Sequence, residues 1–123
     1  MVELEEKGAS NSSETLDLDY IATQLIWEMG IPANLKGYTY LRSAIVLAAL
    51  HPKLRCIQLY SIIADKHQIK PKSVEGAINY AIESTYDANP KQLQSFFPYP
   101  ITKPGNWEII ALAADKMRIR MQM

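Results

Sequence analysis

The chain is predicted to be all-α, a compact bundle of about six helices that contains a helix-turn-helix. Three observations predict this. Apolar residues recur at helical spacing in one segment after another. No segment of useful length alternates polar and apolar residues as a half-buried strand does. The stretch from Leu59 to Glu83 reads as two short helices around a sharp break. Ala64, Ile69 and Val74, five apart, fall where two steeply crossing helices must bury a small, a filling and a branched side chain.

The elements follow in order. Residues 1–14, with GASNSS at their centre, have little to bury and read as a disordered acidic tail or linker remnant. Residues 15–123 form the helical domain. Thr15 or Asp17 can cap a first helix whose apolar face is Leu18, Ile21, Ala22, Leu25, Ile26 and Met29, and Gly30 stops it. Pro32 and Gly37 bracket a turn. A second helix runs from about Tyr38 to Leu50 and ends at His51-Pro52, because a residue before proline is pushed out of the helical region. The turn-linked pair occupies about Lys53 to Asp87, with Gln68 to Lys70 as the break, Ile69 plugging the corner and Pro71 opening the second member. That second member buries Val74, Ile78, Ala81 and Ile82. Asn89 followed by Pro90 starts a short helix that ends near Phe97. Asn106 is predicted to cap a last helix from Trp107 to about Arg120, which buries Ile109, Ile110, Ala113 and Met117.

Composition narrows the class. One domain with a real core fits 123 residues, and no run approaches membrane-span length. The lone Cys56 rules out an internal disulfide, and a cytoplasmic protein is expected. The net charge of zero is unevenly spread. Residues 1–20 carry six acids against Lys7, while the remainder carries twelve Lys and Arg against seven acids. The folded part is thus moderately basic and able to hold phosphates.

Gly30-Ile31-Pro32-Ala33, Leu35-Lys36-Gly37-Tyr38 and Tyr40-Leu41-Arg42 resemble the (G)(I/V)PAxxKGYxYLR signature of the stage-zero sporulation protein A family, in its C-terminal effector domain. Leu59-Tyr60, Ile63-Ala64, Val74-Glu75, Ala77-Ile78, Ala81-Ile82-Glu83 and Ala113-Ala114-Asp115-Lys116 extend the likeness over about Leu18 to Arg120. The resemblance implies a helical response-regulator effector domain that binds promoter boxes in double-stranded DNA and contacts RNA polymerase. A dimer on DNA is a further expectation. In that family a receiver domain comes first, so this chain is expected to be an excised effector piece or a stand-alone relative.

Scaffold residues agree with the family pattern where several DNA-facing ones do not. Ser73, Gly76 and Asn79 stand where the family carries arginines, Tyr80 replaces a histidine and Asp65 a lysine, while Glu75 is kept. The base-facing candidates are Lys72, Ser73, Glu75, Gly76, Asn79 and Tyr80, and the phosphate candidates are Lys53, Arg55 and Lys70. Asn79 suits adenine, Ser73 a base or phosphate, and Glu75 a cytosine amino group or merely Lys72. Lys70 and Lys72 reinforce the positive helix start, and Tyr80 can reach a phosphate. Lys36, Arg42 and Lys103 are supporting cations, with Arg42 equally able to pair with an acid inside the fold. Arg118 and Arg120 are read as complementing the end of their own helix.

Without arginine forks, altered or weakened specificity is expected. The alternative is a relative that has given up DNA and acts as a helical protein-interaction module. His51 and His67 lack a metal-ligand set, and His67 is expected to be packed and hydrogen-bonded. The aromatic residues read as core and interface, with Tyr99 on a stiff loop between Pro98 and Pro100. No catalytic grouping or phosphate loop is present, so no enzyme, cofactor or metal is expected.

Overall fold

The computed structural model describes residues 17–122. The tail assigned to residues 1–14 and the Thr15 cap lie outside the described residues, and Asp17 is already helical. Six helices follow: α1 (17–29), α2 (Lys36–Leu50), α3 (Cys56–His67), α4 (Pro71–Ala88), α5 (Pro90–Phe96) and α6 (Asn106–Met121). No strand occurs among the described residues.

Helices α2 and α4 form the centre. α2 packs on α4, α6 and α3, while α4 also receives α3, α5 and α6. Their shared core contains Leu25, Ile26, Leu41, Ile45, Leu59, Ile63, Ile78, Ile82, Leu93 and Ile109, all essentially inaccessible to solvent. Each such side chain contributes roughly 1.5–3 kcal/mol on leaving water, so the core outweighs every surface contact described below.

Helix ends explain why the chain turns where it does. At the end of α1, Gly30 adopts φ +84°, Gly30 N donates to Trp27 O at 3.0 Å and Ile31 N to Ile26 O at 3.4 Å. This is a Schellman closure, which satisfies carbonyls the helix leaves open. The break between α3 and α4 is built alike. Gln68 turns left-handed at φ 55°, its N–H donates to Asp65 O, and Ile69 N donates to Ala64 O at 3.0 Å. Ile69 packs against the core, as a plug at that corner must. Pro71 then starts α4, where its missing N–H costs nothing. Asn89 caps α5 as expected, its side chain accepting from Gln92 N at 3.3 Å.

Several expectations are corrected. α2 begins at Lys36, slightly before Tyr38. Asn106 is the first residue of α6 rather than its cap. Gly105 takes the cap position, and the Asn106 side chain is drawn into tertiary bonds. Among the described residues Arg42 meets no acid: its guanidinium donates to Thr23 Oγ1 at 3.2 Å and lies over the Tyr38 ring, tying α1 to α2. Arg118 serves the end of α2 instead of its own helix, donating to the carbonyls of Ala48 and Ala49 at 3.1 and 3.3 Å. Arg120 joins α6 to α1 through Glu28 at 2.7 Å. His67 is exposed, with its ring edge-on to Tyr40 at 5.0 Å, because the corner it flanks is already filled by Ile69. Phe96 and Phe97 are core, but Trp27 is 56% exposed, and only its Nε1 is engaged, donating to Tyr38 Oη at 2.8 Å. The loop carrying Tyr99 is pinned by Gln94, which donates to Tyr99 O and accepts from Ile101 N.

Candidate nucleic-acid interface

α4 buries one stripe and presents the other. Val74, Ile78, Ala81 and Ile82 are inaccessible, while Lys72, Ser73, Glu75, Gly76, Asn79 and Tyr80 are all exposed, Tyr80 at 62%. Lys70 is exposed in the turn that leads into the helix. The positive end of the helix dipole therefore coincides with two lysines that form no ion pair among the described residues. The opposite end of α4 is different. Lys103 reaches Glu83 at 3.9 Å and Asp87 at 3.8 Å, so it is committed to acids of α4 rather than standing ready for a phosphate.

The structure gathers only some of the candidates. Lys72, Glu75, Gly76 and Asn79, at helical spacing, form one wall of an open groove, and the other walls come from the starts of α3 and α6. Ser73 and Tyr80 lie off that groove on the neighbouring side of α4. Arg55 is exposed just before α3, where its backbone N–H donates to Gln58 Oε1 at 2.7 Å. Lys53 is not part of this groove: it borders a separate apolar hollow with Leu47, Leu50, Leu54 and Ile62.

Residues that sequence reasoning did not place here complete the groove. Ile57 is 67% exposed and Trp107 is 43% exposed, and both line it. Their apolar character argued for burial, and Ile57 even falls in helical register with the buried Tyr60 and Ala64, so no signal in the sequence marked it as exposed. At the groove floor, Asn106 Nδ2 donates to Tyr60 Oη at 3.0 Å and to Glu75 O at 3.1 Å. One carboxamide thus links α6 to both members of the helix pair, at the level where α4 presents Gly76. Asn106 Oδ1 is buried with no hydrogen-bond partner among the described residues.

Burial pushes the Tyr60 phenol well above the ordinary phenol range; its hydrogen bond with Cys56 adds to this and the one from Asn106 opposes it. Burial likewise raises the Cys56 thiol. An acid whose folded pKa is raised favours the protonated folded state. Its contribution is therefore full below the unfolded value of 10.0 and is lost as pH climbs from there toward the folded value. Denaturant titrations between pH 8 and 11 should show stability falling above about pH 10, and Tyr60→Phe should flatten that fall. An unchanged slope in the variant would assign the alkaline loss elsewhere.

Six helices with α2 and α4 at their centre, and a turn-linked pair whose second member shows a polar, basic-ended face, define an all-helical domain that presents one helix outward. The family model described as Sporulation initiation factor Spo0A C terminal matches residues 22–117. The chain belongs to that family, and membership implies a DNA-binding effector domain. Among the described residues, no helix is long and apolar enough to cross a membrane.

Proposed function

We propose that this domain is a transcriptional regulator of the sporulation type that lays α4 in the major groove of a promoter box. Its specificity differs from that of relatives with arginines at the positions of Ser73, Gly76 and Asn79. The observation that carries the reading is the exposed Lys72–Tyr80 side of α4, opened by Lys70 and Lys72 and anchored beneath by the core stripe. Lys70 and Arg55 hold phosphates, and Lys72, Ser73, Glu75, Gly76, Asn79 and Tyr80 face bases or sugars. Lys53, which borders a different hollow, belongs at the margin of that footprint. The domain would act in the cytoplasm at promoters, with RNA polymerase as a second partner and two copies on a paired box.

Fluorescence anisotropy against a randomised duplex pool tests this. Binding should weaken steeply with salt, Lys70→Ala should lower the log–log salt slope by about one, and Lys72→Ala should relax the sequence preference at the base pair it faces. No binding to any duplex at low salt would remove the reading. A protein-interaction module is the second reading, favoured by the exposed Ile57 and Trp107. Recovery of promoter DNA from host extract, with loss of that recovery in the lysine variants, would count against it.

A further inference from the structure

The groove beside α4 differs from an arginine-lined reading head in a way that has a chemical consequence. Three of its features converge. Asn79 is exposed and offers a carboxamide, whose paired donor and acceptor match adenine N6 and N7 in the major groove. Gly76, one turn earlier on the same stripe, is bare backbone, and a Cβ added there would meet nothing within 4 Å. The same groove is lined by two side chains with apolar surface in water, Ile57 at 67% and Trp107 at 43% exposure. Glu75 adds discrimination of the opposite kind. An ionised carboxylate only accepts hydrogen bonds, and guanine presents two acceptors, N7 and O6, on its major-groove edge.

Resting on the DNA-binding reading above, we infer that this groove reads an A·T step, with Asn79 on adenine and the Ile57–Gly76–Trp107 hollow receiving a thymine methyl group. The spacing fits. Three residues of helix separate Gly76 from Asn79, a rise of about 4.5 Å, against about 3.4 Å between successive base pairs. Two adjacent base pairs therefore lie within reach of the two features. The hollow suits the methyl because it is the one apolar group on the major-groove edge of the four bases, and it gains by leaving water against apolar carbon. Lys70 and Lys72 at the start of α4 supply the charge complementarity that brings a polyanion to this side of the molecule.

The test uses the full chain and duplexes selected from a random pool. The enriched box should carry adjacent A·T pairs at its centre. Replacing the contacted thymine by uracil removes only the methyl group and should weaken binding about four-fold. Replacing the contacted adenine by 7-deazaadenine removes only N7 and should weaken it about ten-fold. Ile57→Ser should abolish the response to uracil and leave the response to 7-deazaadenine, while Asn79→Ala should do the reverse. Ile119→Ser, at a residue 69% exposed on α6 outside this groove, should leave both responses in place. A G·C-centred box, or equal binding of thymine and uracil duplexes by the parent chain, overturns the inference while DNA binding stands. Failure to bind any duplex overturns the DNA-binding reading and this one together.

Discussion

Replacing Gly37 by alanine should cost about 3 kcal/mol of stability, the upper part of the range for overpacking a filled interior, and lower the melting temperature by about 12 °C. Gly37 lies in the first turn of α2, where that helix crosses α4. An added Cβ would run into the carbonyl oxygen of Ala77 and stand 2.8 Å from both the Ala77 carbonyl carbon and Ala81 Cβ. Two of these three obstacles are backbone, so no side chain can swing aside to relieve them. The remedy is to lift α2 from α4, and these helices hold the centre of the core together. Gly76→Ala is the control with the opposite sign. It sits mid-helix in open space, so it should stabilise by up to about 1 kcal/mol through helix propensity alone. Urea melts of the two variants separate close packing from propensity. Equal and small effects would mean that α2 and α4 are not held at this distance in solution.

The same contrast shows what could be read from residues in order and what could not. Punctuation was legible because its causes are local. Gly30, the Gln68–Ile69 corner, Pro71 and Asn89-Pro90 each act on backbone groups within five residues, and each falls where expected. The buried stripe of α4 was legible because only one face of a helix can enter a core. Misreadings arose where a distant group outbid the local one. Asn106 has the chemistry of a cap, yet partners 31 and 46 residues away claim its amide. Arg118 has its own helix end nearby but bonds carbonyls about 70 residues earlier, because α6 runs past the end of α2.

The candidate site divides in the same way. The exposed set on α4 follows from periodicity, being the complement of the core stripe. Which cations join it depends on tertiary placement, and that separated Lys53 and Lys103 from Lys70 and Lys72. Ile57 and Trp107 were invisible as site residues because hydrophobicity constrains what is buried far more than what is exposed. The charge on α4 is consequently polarised, with exposed lysines at its start and acids tied to Lys103 toward its end. On the proposed DNA-binding reading, that polarity favours a nucleic acid at the first half of the helix, where the groove also lies.

Asn106→Asp should be a disruptive near-isosteric change, costing about 2–3 kcal/mol at neutral pH, because a charged acceptor replaces a donor of two hydrogen bonds at a half-buried position. In the parent chain both bonds from Asn106 use its amide hydrogens, one to Tyr60 Oη and one to the Glu75 carbonyl. A carboxylate has no hydrogen to give. The Tyr60 hydroxyl can turn and donate to it, but the Glu75 carbonyl can only repel it, and the other oxygen would fill a position already buried with no hydrogen-bond partner among the described residues. The variant's carboxyl is thereby favoured in its protonated form when folded, so its folded pKa lies above the unfolded value of about 4. It follows that the lost stability should return as pH falls through that raised value and be fullest below about pH 4, before general acid unfolding is counted. Asn106→Ala removes the donors without adding charge, so it should cost about 1–2 kcal/mol with no such pH dependence. Because the carbonyl concerned belongs to the turn of α4 that precedes Gly76 and Asn79, the aspartate variant should also lose DNA affinity under conditions where it is still folded. Full affinity in a folded Asn106→Asp domain would show that α6 does not set the pose of α4.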